Sequence, residues 1–195
     1  MAWPRQSDDR QWEKPEGDDP RTLYQMLMVS AEQFANAPCF GYIPAPGMSR
    51  VHITYQEFSE LTTSVAKGLR DIGFEKGDRV ALIVDNSVEW AAVAYGANAL
   101  GAAYTAMYTH QHGKDWAYIL EDSTPKAVVV ANTGILDKMC GSLADDAWPS
   151  SGVILLGDDP ANKLPPSGVD VRMWSSFVAE GRAGEDLAKI EDDYS

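Results

Sequence analysis

His110 and His112 stand one residue apart in a polar stretch, an arrangement that can bring two imidazoles to one metal ion. A metal site needs further ligands, and no Cys or carboxylate falls at ligand spacing around the pair, so solvated loop histidines are the expected reading. His52, inside a run with strand character, is expected to pack. A nucleophile is equally hard to find. No serine lies in G-x-S-x-G, and neither Cys39 nor Cys140 sits in a thiolate-stabilising motif. The pairs Asp158-Asp159 and Asp192-Asp193 could serve metal or acid–base chemistry, but neighbours in sequence need not face one pocket, and in so acidic a chain they read as solvated loops. Phosphate binding calls for clustered glycines whose amides converge on an anion. Neither G-x-G-x-x-G nor G-x-x-x-x-G-K-[ST] occurs, and the nearest candidate, Asn132-Thr133-Gly134, reads as a strand-to-helix turn with an N-cap. Trp90 and Trp116 fall on apolar stripes and are expected in the core. Thr105, Tyr108 and Thr109, at a strand end, suit either a ligand or turn chemistry. On these residues alone, no catalytic, cofactor-binding or metal-ligating residue is nominated.

The chain that must position any chemistry has 195 residues, 45% of them hydrophobic, enough to bury one substantial core. With 29 acidic against 16 basic side chains its formal charge is −13, which repels phosphate backbones and anionic headgroups. Nucleic acid is therefore not an expected partner. Unbroken apolar stretches such as Ala127 to Ala131 are far shorter than the roughly 18 residues of a membrane span. Met1 to Pro20 has no apolar signal core, so a cytoplasmic location is the expectation. Two cysteines make no disulfide framework.

Residues 1–20, with Asp8, Asp9, Asp18 and Asp19 among Gly and Pro, read as a disordered acidic tail. From Thr22, Leu23, Met26, Leu27, Ala31 and Phe34 recur at helical spacing. Cys39 to Ile43 and Val51 to Ile53 read as two strands of a hairpin around a Pro- and Gly-bearing turn. Thr54-Tyr55-Gln56-Glu57 is a capping box, opening a helix whose stripe is Phe58, Leu61, Val65, Leu69 and Ile72, with Gly73 as a left-handed cap. Strands are expected at Arg79 to Val84, Ala102 to Met107, Lys126 to Ala131 and Val153 to Leu156. Helices are expected at Val88 to Leu100, capped by Asn86 or Ser87, at Lys114 to Asp122, from Asn132 through Met139, and at Met173 to Glu180. Asp158 to Gly168 reads as loop, and Ala183 to Ser195 as a polar tail.

Alternating strands and helices of these lengths predict an α/β fold, a mostly parallel sheet covered by helices on both faces. Ligands of such sheets gather beyond the carboxyl ends of the strands. That edge would carry Asp85, Asn86 and Ser87, then Tyr108, Thr109 and His110, then Asn132, Thr133 and Gly134, then Gly157 and Asp158.

Several ordered blocks also resemble a known family. Ile53-Thr54-Tyr55-Gln56-Glu57-Phe58, Gly73-Phe74-Glu75-Lys76-Gly77-Asp78-Arg79-Val80-Ala81 and Asp85-Asn86-Ser87-Val88-Glu89-Trp90 are similar to the N-terminal segment of the AMP-forming adenylate ligases. So are Ala99-Leu100-Gly101-Ala102-Ala103-Tyr104 and Tyr118-Ile119-Leu120-Glu121-Asp122-Ser123. Within the family, Met107-Tyr108-Thr109 resembles the Ile-Tyr-x-Thr of the long-chain acyl-CoA synthetase branch. The likeness covers roughly residues 22 to 156.

The resemblance implies a two-step reaction, in which a carboxylate attacks the α-phosphate of Mg-ATP and the thiol of coenzyme A then displaces AMP. It also implies that residues 21–195 are a partial AMP-binding domain ending before the phosphate loop. Glu191-Asp192-Asp193-Tyr194-Ser195 resembles the stretch that runs into that loop. The Ser/Thr/Gly-rich loop ending in Pro-Lys-Gly, the adenine-pocket aromatic with its Thr-Glu pair, the hinge acid and the C-terminal lysine have no counterpart here. The expectation is thus an N-terminal fragment of a long-chain fatty acid–CoA ligase, inactive alone. ATP, Mg, coenzyme A and a fatty acid or other carboxylate would belong to the full-length parent, cytoplasmic or peripheral to a membrane, and the missing downstream part of the same ligase would be a partner. The alternative is a stand-alone, non-catalytic α/β binding or interaction domain derived from the family.

Overall fold

Thr22 accepts the Gln25 amide at 3.1 Å, and the Gln25 side chain returns a bond to the Thr22 amide at 3.3 Å, so α1 (Leu23–Phe34) opens on a capping box. The computed structural model describes residues 22–43, 47–157 and 165–183; the expected acidic tail at 1–20, the Pro44–Pro46 turn, most of the 158–168 loop and the tail beyond 183 lie outside them. Strands β1 (Pro38–Tyr42) and β2 (Val51–Thr54) pair antiparallel, Phe40 opposite Ile53 and Tyr42 opposite Val51, with an irregularity between Pro38 and Phe40. The expected hairpin is there. Phe40 fastens it, its ring 4.8 Å from that of Phe58, which in turn meets Tyr95 at 5.8 Å, both edge-on.

Helix α2 (Tyr55–Asp71) begins at the predicted capping box: Thr54 Oγ1 accepts the Glu57 amide at 3.2 Å and Glu57 Oε2 accepts the Thr54 amide at 2.7 Å. It ends at Gly73, whose φ of +91° is the left-handed geometry a side chain would resist. Its buried surface is wider than the expected stripe and includes Ser59, Thr62, Ser64 and Gly68, because α2 is packed against other helices as well as over the sheet.

The remaining elements are β3 (Arg79–Ile83), α3 (Val88–Ala99), β4 (Ala103–Met107), α4 (Gly113–Ser123), β5 (Ala127–Val130), α5 (Thr133–Cys140), β6 (Val153–Leu155), β7 (Val171–Met173) and α6 (Trp174–Ala183). Strands β3 to β7 form one five-stranded sheet in the order β4-β3-β5-β6-β7, every pairing parallel. Strand β7 departs from the sequence reading, which began a helix at Met173. Only three residues long, at a sheet edge and with Arg172 between its apolar positions, it carries too little pattern to be seen without its partner β6.

Alternation along the strands divides the core into two layers. Val80 and Leu82 of β3, Val129 and Ile154 pack with α1, α2, α3 and α6, while Ala81 and Ile83, Val128 and Val130 pack with Trp116 and Leu120 of α4 and Leu136 and Met139 of α5. Helix α3, rich in Ala, lies close against α2. A β-carbon at Gly96 would stand 2.9 Å from Val65 Cγ1 and 3.2 Å from the Ala66 amide nitrogen, so this crossing depends on the missing side chain. Among the described residues no helix is long and apolar enough to cross a membrane.

Candidate functional site

The strand order contains a reversal. The chain leaves β3 to build β4 on one side, then returns past it to place β5 on the other, so the loops after β3 and β5 diverge at the carboxyl edge. This is the place where open parallel sheets leave a crevice. Ser87 and Asn132 head the helices that follow, accepting the amides of Trp90 and Ile135, each at 3.1 Å. Gly157, after β6, lies against Ala131 and Asn132.

The loops after β3 and β4 are joined by a hydrogen bond. Thr109 Oγ1 donates to Asp85 Oδ1 at 2.6 Å, with Thr109 buried and Asp85 exposed. Trp116, buried under the loop, donates its indole N–H to the Tyr108 carbonyl at 3.0 Å, and the Tyr108 amide donates to Gln111 Oε1 at 3.1 Å. Tyr108 therefore has a fixed backbone and a side chain 81% exposed. Ile83 pairs with Met107, so Asp85 and Thr109 lie the same two residues beyond their strand ends. That shared offset is the signal that could have paired them from sequence, once the two strands were known to be neighbours.

On the helix side of this edge, the β1–β2 hairpin overhangs the start of α3. Between them are two adjoining clefts of about 630 and 510 Å³ that share Tyr42, Asn86, Ser87 and Val88. Ile43, Ile53 and Leu61 line the first, with Glu57, Glu89 and Arg182; Phe40, Trp90 and Tyr95 line the second. The hairpin wall and Arg182 were not foreseen as parts of a cleft, since both come together only through tertiary packing. Trp90, expected in the core, is half-buried, its ring edge-on to Tyr104 at 5.6 Å.

The other expected residues fall as follows. Asn86, His110, Asn132 and Gly134 are exposed along the carboxyl edge, and Asp158 is outside the described residues. His110 and His112 are solvent-facing, and no group of three or more His, Cys, Asp or Glu able to hold a metal exists among the described residues. His52 packs, but at the surface. It is exposed on β2, its ring filling the space that a β-carbon on Gly41 would need, because the cross-strand glycine offers room at the surface instead of in the core. Burial pushes the Cys39 thiol upward, away from the thiolate a nucleophile requires.

A triphosphate needs free amides and cations together. At this edge Ser87 and Asn132 each accept one first-turn amide, while α4 begins at His112 without a side-chain cap and carries Asp115 in its first turn. Glu57 and Glu89 outnumber Arg182 in the larger cleft. Among the residues lining the two clefts Arg182 is the basic side chain, and the edge offers shape and backbone order.

A family profile described as AMP-binding enzyme matches residues 27–190. The long-chain-fatty-acid–CoA ligase ACSBG1 of Bos taurus is 29% identical over 120 residues, 62% of this chain and 16% of its own length. The long-chain-fatty-acid–CoA ligase FadD13 of Mycobacterium tuberculosis is 39% identical over 79 residues, 40% of this chain and 16% of its own. Among solved structures, the N-terminal domain of FACL13 from Mycobacterium tuberculosis aligns with a TM-score of 0.60 and 25% identity over 86% of this chain and 37% of that one. The matched region is thus about a sixth of the length of these curated relatives and corresponds to their N-terminal part.

Proposed function

The chain belongs to the AMP-binding enzyme family, and from that membership we propose that it is the N-terminal part of a long-chain fatty acid–CoA ligase that is inert by itself. The substrate class is supported by the names of the relatives and by Met107-Tyr108-Thr109, the segment similar to the long-chain branch. In this reading residues 21–195 are a partial adenylating domain, preceded by an acidic segment at 1–20, in a parent that is cytoplasmic or peripheral to a membrane.

The observation that supports the inertness is in the sequence, where neither a Gly-rich phosphate-binding pattern nor Pro-Lys-Gly occurs. Ser87 and Asn132 each accept one amide, those of Trp90 and Ile135, at the starts of α3 and α5. In the family, ATP with Mg activates the carboxylate and coenzyme A accepts the acyl group; this chain contributes the framework on which such a site is assembled. Its own residues hold the Tyr108–His112 loop through Asp85 and Trp116 and set the hairpin over α3. Charge stabilisation, the larger part of the catalytic effect in phosphoryl chemistry, falls to residues beyond this segment.

Pyrophosphate release from Mg-ATP, palmitate and coenzyme A tests the reading. The 195-residue chain is expected to give no release above the protein-free control. Sustained turnover by the isolated chain would refute it, and sequencing past the codon for Ser195 tests the fragment itself, because a continuing frame that encodes a Gly/Thr-rich loop is the expected result.

A further inference from the structure

We draw no further inference here: the strongest candidate, the cleft of about 630 Å³ between the β1–β2 hairpin and the start of α3, with Tyr42 and Ile43 exposed along it, is an unpartnered face, and nothing in the structure shows whether lipid, further polypeptide or a second copy covers it.

Discussion

Lys126 Nζ lies 2.8 Å from Asp78 Oδ2 and also donates to the Gly73 carbonyl, tying the amino end of β5 to the turn that leads into β3. The same carboxylate oxygen accepts the Glu75 amide at 2.7 Å, so Asp78 closes its own turn while it receives the lysine. Lys76-Gly77-Asp78, one of the blocks that carried the family resemblance, is therefore a structural joint at the edge opposite the candidate site.

Partial burial would raise the Asp78 carboxyl, but the Lys126 and Glu75 bonds, with Arg79 nearby, outweigh it and hold the group below the ordinary carboxylate range. A depressed folded-state pKa contributes stability above the unfolded value, near 3.9, and the contribution is lost as pH falls through the folded value. Asp78→Asn should cost about 1 kcal/mol at pH 7, as expected for a partly exposed pair with an added hydrogen bond. Urea midpoints measured from pH 7 to pH 3 should show the wild type and variant converging below about pH 4. A difference that stays constant to pH 3 would mean that the ionised carboxylate is not what stabilises the turn.

The Asp85–Thr109 bond links two loops that leave adjacent parallel strands. Asp85→Ala and Thr109→Val should each destabilise the chain, and the double variant should fall short of their sum by roughly 1 kcal/mol, the scale of a hydrogen bond to a charged acceptor diminished by exposure. Amide exchange at residues 108–112 should rise in both single variants. Additive effects, with unchanged exchange, would show that Trp116 alone holds the loop.

Local signals reached most of the elements because they lie within a turn of one another. Thr54 and Glu57 are three residues apart, and Val80 to Val84 is an unbroken apolar run, so the capping box and strand β3 could be read without their neighbours. Strand β7 could not, since three residues around Arg172 become a strand only by pairing with Val153 to Leu155. The same limit governs the site. The carboxyl edge followed from alternation, whereas the Asp85–Thr109 bond required strand order and the cleft required the packing of the hairpin and α6. The Thr22–Gln25 capping box, by contrast, is local, Thr and Gln standing three residues apart as Thr54 and Glu57 do.

The α2–α3 crossing predicts a packing penalty. In Gly96→Val the new side chain would meet Val65 and the backbone of Ala66, which cannot withdraw without moving α2. Overpacking of this kind costs about 1–3 kcal/mol, more than the few tenths of a kcal/mol, roughly, that valine gains over glycine in helix propensity. The melting temperature should fall, and Val65→Ala in the same chain should restore part of it. Loss without any rescue would place the strain in the backbone of α2.

The exposed side of the hairpin should govern how the isolated chain behaves in solution. Tyr42, Ile43, Met48 and Val51 are 45%, 56%, 57% and 41% exposed, clustered on a two-stranded ribbon without a further strand at either edge among the described residues. Apolar side chains beside open strand edges favour association with other chains. Replacing both Ile43 and Met48 with Lys places two charges at positions more than half exposed, Ile43 also standing on the wall of the larger cleft, so stability should change by no more than about 1 kcal/mol. Sedimentation velocity at increasing concentration should then show self-association of the wild-type chain that is suppressed in the double variant, at matched melting temperature. Equal association in both would move its source to the other edge, where Tyr104, Tyr108 and Tyr118 are exposed beside β4 and α4.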